Sequence, residues 1–426
     1  MDTVGAANLY IDNAASTSGN GTSWSSAWKS FSNVVWSNIR PGDTLYISGG
    51  ATSQTYYETL IVGASGSSTG MITITKGINP GHNGTVIIDG ETTRPNGVYL
   101  YGYNYVDVRN LFVRNISDAG IVVKYATAGV VIEDNNIYSG DPGGGNARGI
   151  DTRNNSGTNP VLVRNNTFTT PTNTAAQTDG IWSSGNNGVI FDHNCIVIAN
   201  SNTTGHSDGI QSYQDYNIVI RNNWIEQANY ATSNNHGLWL SNTQTGGVIK
   251  VFNNVIFVPN LTQDSAVTHW NDASTWPGTG TIRIWNNTIY GGTRSVNLGN
   301  SPNAEVKNNI LWPSANGYGV VMMNGTIPPA NINNNLIWSP NANIAYVNGS
   351  AKNWSGWQAL GYDGKGVNAD PGFTDLSRKQ LMPTPTSAVI NRGTILSEVT
   401  TDLEGVPRPK GSAYGLGAIE FIPGGP

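Results

Sequence analysis

This chain carries little charge. Only 12% of its 426 residues are Asp, Glu, Lys or Arg, and 22 basic against 27 acidic residues leave a formal net charge of -5. A nucleic-acid-binding face clusters Lys and Arg against phosphates, and here the basic residues are scattered without a run, so nucleic acid is excluded as a partner. No stretch approaches the roughly 18 consecutive apolar residues that a spanning helix needs, which excludes the membrane too. Met1-Asp2-Thr3 lacks the basic-then-apolar pattern of a signal peptide. The expectation is therefore a secreted, extracellular protein whose leader has been removed, or one that leaves its cell on a virion. The one cysteine, Cys195, can form no internal disulfide, and its apolar run Cys-Ile-Val-Ile makes it a packed core thiol.

Glycine is abundant instead, at 52 residues, and the chain repeats itself. A unit of the form x-Asn-x-apolar recurs at Asn136, Asn166, Asn194, Asn223, Asn254, Asn287, Asn309 and Asn335, in segments such as VRNNTF, VIRNNWI and RIWNNTI. A second series runs in phase: Gly120-Ile121, Gly149-Ile150, Gly180-Ile181, Gly209-Ile210, Gly237-Leu238 and Ala266-Val267, spaced by 29, 31, 29, 28 and 29 residues. Two series in phase define the coil of a solenoid. Each coil reads as three short strands of alternating character, without helical periodicity. Asparagine tolerates the left-handed backbone of a tight turn, and stacked Asn amides can hydrogen-bond from coil to coil, so this series is structural. Ile150, Ile181, Ile210, Leu238 and Val267 then stack inside as an aliphatic column.

These features predict an all-β chain, a single-stranded right-handed parallel β-helix in one continuous domain. Residues 1–96 form an N-terminal cap and the first coils, 97–365 the β-helix coils, and 366–426 a C-terminal closing segment. The cap is expected to be helical, since Ser25 to Ile39 sets Trp28, Phe31 and Val35 on one helical face. The opening NLYIDNAASTSGNGTSWSSAWKSF, with RPGDTLYISGG, and the closing DPGF and TTDLEGVPRP resemble the ends of secreted β-helix proteins of the pectin-lyase-like kind, polysaccharide lyases among them.

Ionisable residues stack on successive coils just before the Gly-Ile strand: Arg148, Asp179, Asp208 and His236. In register, Asp179 and Asp208 would lie about 5 Å apart, one strand spacing. Two carboxylates that close cannot easily both ionise, which suits general acid and base work. Gln177-Thr178-Asp179-Gly180, Ser207-Asp208 and Asn235-His236-Gly237 resemble three active-site segments of the polygalacturonase family of glycoside hydrolases. That resemblance implies Asp179 and Asp208 as catalytic carboxylates and His236 as a positioning or relay residue. The family's second segment has two aspartates where this chain has one, and its basic Arg-Ile-Lys segment is missing here. Strand alternation puts Trp182, Gln211 with Tyr213, Trp239, and Thr268 with Trp270 on the outer face, a platform for sugar rings. Arg148, Asp151, Trp182, His206, Tyr213, Trp239 and Trp270 are thus the expected substrate-binding residues. His193 reads as a turn residue.

The leading function is a polysaccharide-cleaving glycoside hydrolase built on the paired aspartates. A polysaccharide lyase acting by β-elimination on a uronate polymer is the alternative, with Arg148, His236 or another base taking the proton. A carbohydrate-binding spike or adhesin without turnover is the third. The partner in each case is a polysaccharide or oligosaccharide, and the protein is expected to be a monomer. No metal is expected, because Asp134, Asp192 and Asp215 do not visibly cluster; calcium enters only with the lyase reading.

Overall fold

A computed structural model describes residues 5–138, 146–171, 177–199, 206–227, 235–261, 264–272 and 280–424. The chain divides into two compact units, Met1–Gly205 and His206–Pro426. Each unit winds through three parallel sheets, returning to the same sheet once per coil. The only α-helix among the described residues is Trp354–Ala359.

The coil registers follow the sequence repeat. In the first unit Ile121 pairs with Ile150 and Ile150 with Ile181; in the second, Ile210 pairs with Leu238, Leu238 with Val267 and Val267 with Val296. All are buried. The glycine before Ile210 and Leu238 has a steric cause. A Cβ on Gly209 would lie 2.3 Å from Cγ2 of Ile225, and one on Gly237 2.4 Å from Cγ2 of Ile256, side chains of the sheet across the interior. The ladder register skips the glycine: Asp208 pairs with His236 and Ile210 with Leu238.

The asparagine series divides its work between neighbours. In the second unit the backbone N–H and Nδ2 of Asn223 donate to Oδ1 of Asn254, and the pattern repeats from Asn254 to Asn287, Asn309 and Asn335. Asn335 donates likewise to Oδ1 of Asp363. The first unit carries Asn135, Asn166 and Asn194 in the same way. Asn135 is the rung, and Asn136, expected in that role, is exposed. The left-handed position is one residue earlier: Asp134, Asn165, His193, Asn222, Asn253, Asn286, Asn308 and Asn334 all have φ between 48° and 60°. His193 is thus a turn residue. Asn155 and Asn186 form a second ladder in the first unit, apart from the x-Asn-x-apolar series.

Three expectations need correction. Residues 24–38 form three separate 3₁₀ turns, Trp24–Ser26, Phe31–Asn33 and Trp36–Asn38, and not a helix. Ser23 and Ser30 each N-cap a single turn, the backbone leaves the helical region at Ala27 and Val34, and Trp28 between the first two turns bridges to Ile11. Trp28 and Phe31 are buried as anticipated, but Val35 is 44% exposed. At the other end the second unit is closed inside the stretch assigned to coils, by the antiparallel pair Asn343–Val347 and Ser350–Asn353 and by the helix, whose buried Trp357 donates to Asp363. The residues after 366 run back as a strap along the left-handed asparagines: Asn253, Asn286, Asn308 and Asn334 donate to carbonyls of Thr401, Gly415, Thr394 and Arg392. Finally, Cys195 is half-buried, because alternation in Cys195–Ile198 turns Ile196 and Ile198 inward.

Candidate active site

In the second unit, Asp208 starts the strand Asp208–Tyr213 and pairs in register with His236 at the start of His236–Ser241. Asp208 is fully buried. Its Oδ2 lies 3.0 Å from Nδ1 of His206, and its Oδ1 lies 3.0 Å from both Nδ1 and the backbone nitrogen of His236. Burial alone would raise this carboxyl, but hydrogen bonds and charge from the two histidines outweigh it and hold it below the ordinary aspartate range. An ionised carboxylate accepts, so the His236 ring donates from Nδ1, and Nε2 is its remaining position for proton transfer. Asp208 therefore orients; it is not a stored proton.

A supporting layer holds this arrangement. Ser207 N–H donates to Oδ1 of Asn235 at 2.7 Å, the N–H of Asn235 donates to Asp264, and Gln227 Nε2 donates to the carbonyls of Ser207 and His236. The Trp239 ring lies 4.6 Å from that of His236. Trp239 and Trp270 are half-buried and Tyr213 is 38% exposed.

The column continues beyond the residues singled out in the sequence. Ser265 pairs with Arg294, and Arg294 with Tyr318. Arg294 thus stands two coils on from His236, about 10 Å at one strand spacing per coil. Among the described residues its side chain has no hydrogen-bond or ion-pair partner. One more step of 29 residues past Ala266 would have found it, since that step reaches Ser295-Val296. His269, in the same strand as Val267, is interior: its ring nitrogens lie 2.6 Å from Ser301 Oγ and 3.0 Å from Thr243 Oγ1, and burial pushes its pKa down to about 3.

The first unit holds the remaining candidates. Asp179 is buried and pairs in register with Arg148. Arg148 donates to Asp118 at 2.7 Å, comes within 3.7 Å of Asp151, and lies over the Trp182 ring at 4.9 Å. Asp151 is buried and accepts two bonds from Arg153, at 2.7 and 2.5 Å. Arg148 is therefore neutralised and is unsuited to act as a base. Arg148 Nε and Trp182 Nε1 are nonetheless buried without a hydrogen bond. Asp179 belongs to the first unit and its expected partner Asp208 to the second. Residues 139–145 and 228–234, which precede two of these strands, lie outside the described residues. No helix among those residues is long and apolar enough to cross a membrane.

Residues 96–275 match the family model described as a right-handed β-helix region. Among solved structures, the pectate lyase Pel9A is similar over 99% of this chain and 98% of its own, at 16% identity and a TM-score of 0.55. XylC, solved in complex with xylose, is similar over 97% and 98%, at 11% identity and a TM-score of 0.59. Likeness at these identities establishes the fold. No curated protein matches the chain in sequence.

Proposed function

We propose that this right-handed parallel β-helix protein is a carbohydrate-active enzyme that cleaves a uronate-bearing polysaccharide by β-elimination. The observation that carries the reading is the ionised Asp208 clamped between His206 and His236, with the unpaired Arg294 on the same column of the same unit. Elimination needs a base, and something to hold the negative charge that develops on the neighbouring carboxylate. His236 Nε2 takes the proton from the carbon bearing the carboxylate, while Arg294 binds that carboxylate. The released electron pair forms a carbon–carbon double bond as the glycosidic carbon–oxygen bond breaks. The departing oxygen receives a proton from His206, the more exposed ring. In a paired-aspartate hydrolysis one carboxyl must be the proton donor, and the lowered pKa of Asp208 bars it from that role. One of the two neighbours of like fold is named a pectate lyase, which agrees with this chemistry.

The reading routes no step through a metal, so turnover should survive EDTA. The deciding experiment incubates the protein with uronate polymers and with neutral xylan, following new reducing ends and ultraviolet-absorbing unsaturated ends together. Both should appear, on uronate polymers alone. Reducing ends without unsaturation would replace this reading with the paired-aspartate hydrolase. Binding with neither product would make the protein a carbohydrate-binding spike. Secretion and a monomeric state belong to the same reading, and size-exclusion chromatography tests the second.

A further inference from the structure

We infer that Gln211, Thr268 and Asn297, flanking Trp239, form a stripe that reads the hydroxyl groups of a glycan lying across the coils of the second unit. The inference rests on the proposed function and deepens it by naming residues that select the substrate. These four residues occupy one register position on successive strands: Gln211 pairs with Trp239, Trp239 with Thr268, and Thr268 with Asn297. Each follows the inward aliphatic residue by one, so the row faces outward. The three polar side chains are only 6%, 1% and 6% exposed, yet Oε1 of Gln211, Oγ1 of Thr268 and Oδ1 of Asn297 are buried without any hydrogen bond.

That is an expensive arrangement for a protein to keep for its own stability. A buried polar atom left unpaired costs about 1–3 kcal/mol, and folded proteins seldom tolerate several side by side. The next row inward on these strands shows the ordinary state. There Ser212 Oγ donates to Asp215 at 2.6 Å, and both nitrogens of His269 have partners. The orphaned oxygens on the outer row are accounted for if a ligand completes them. Carboxamides and a hydroxyl can each give and take a hydrogen bond, which matches the adjacent hydroxyls of a sugar, and the Trp239 ring offers the apolar face between them. A pyranose ring is about as long as one strand spacing, ~4.8 Å, so a chain crossing the strands places roughly one sugar per coil. Arg294 lies three residues before Asn297 on the same strand, within reach of a carboxylate on the same chain.

The test uses Thr268→Val and Asn297→Leu, which keep shape and remove the orphaned atoms. Both are made in the full-length protein carrying His236→Gln, so that the probe is not turned over. Affinity for trigalacturonate, xylotriose and cellotriose is measured by calorimetry, and the Tm by calorimetric melting. Each variant should weaken trigalacturonate binding about 5- to 10-fold, the loss of one good hydrogen bond, while the Tm holds or rises. Unchanged affinity in both variants overturns the inference. So does a Tm lower by several degrees, because these atoms would then serve the fold, and so does a parent protein that binds none of the three probes. The cleavage products of the unsubstituted enzyme decide the elimination reading separately, since the affinities here are compared without turnover.

Discussion

Two polar columns run along the second unit, and only one of them is finished. In the asparagine ladder every rung accepts the backbone and side-chain N–H of the previous rung, and its own amide reaches a carbonyl such as that of Ile220 or Val251. On the outer row of the Gly-Ile strands, the side-chain oxygens of Gln211, Thr268 and Asn297 are as deeply buried and have no hydrogen bond. The chemistry of the groups is the same, and so is the coil repeat. What differs is whether the fold itself satisfies them, and that separates polar residues that hold a solenoid together from polar residues held in waiting for something else.

The sharpest way to break the comparison is to exchange effects between the columns. Substitution at the proposed catalytic end should abolish turnover and spare the fold: His236→Gln is expected to lower turnover a hundred- to ten-thousand-fold, the range for general base catalysis, with little change in chemical denaturation. Near-normal turnover on the true substrate would place the active site elsewhere. Substitution in the ladder should do the reverse. Asn254→Leu removes the acceptor used by the N–H and Nδ2 of Asn223 and leaves Ile220 and Phe252 carbonyls without their donor. Several orphaned buried groups at once should cost about 3–5 kcal/mol in urea denaturation. A loss below 1 kcal/mol would mean that the ladder is ornamental.

The ladder ends on a charge, which gives it a pH signature. Asp363 closes it in place of an asparagine, and burial pushes its carboxyl up to about 6 from an ordinary 3.8, against hydrogen bonds from Asn335 and Trp357. Between those values the folded state keeps a proton that the unfolded chain has released. Stability from this group is therefore fullest below 3.8 and is lost as the pH rises through about 6, by roughly 3 kcal/mol at 1.4 kcal/mol per unit. His269 slopes the other way: with its pKa pushed down to about 3, the folded protein loses stability as the pH falls below 6.5. Asp363→Asn should remove only the first slope. Melting curves from pH 4 to 7 on both proteins test this, and parallel curves would show that Asp363 does not titrate in that window.

Much of this was legible in the sequence because a solenoid writes its fold in a repeat. The phase of the Gly-Ile series placed Ile210, Leu238 and Val267 in the core, and the same phase put Asp208 beside His236. The terminal cap was not legible: Trp28, Phe31 and Val35 have helical spacing, but the backbone turns extended at Val34 and leaves the helical region at Ala27, each after one serine-capped turn, which spacing does not register. Nor was the state of Asp208. Two nearby carboxylates suggested a raised pKa, whereas His206, which reaches Asp208 from the preceding loop, helps to lower it. Arg294 lay one period beyond the point where the series was followed.

The smallest expected effect concerns the residue just before each rung, which carries the left-handed turn. Asn165 in the first unit and Asn286 in the second have φ of 55° and 48°. Asn165 is exposed, whereas Asn286 also donates to the Gly415 carbonyl of the strap and accepts from Asn308. Glycine keeps the left-handed backbone at little steric cost, while alanine is strained there by about 1 kcal/mol. Asn165→Gly should therefore leave the denaturation midpoint almost unmoved, and Asn165→Ala should lower stability by about 1 kcal/mol. At Asn286 both substitutions should cost more than at Asn165, by the same increment of about 1–2 kcal/mol for the lost strap contacts. If Asn286→Gly proves as harmless as Asn165→Gly, the strap is held by its apolar contacts alone, and the first asparagine of each pair serves only the turn.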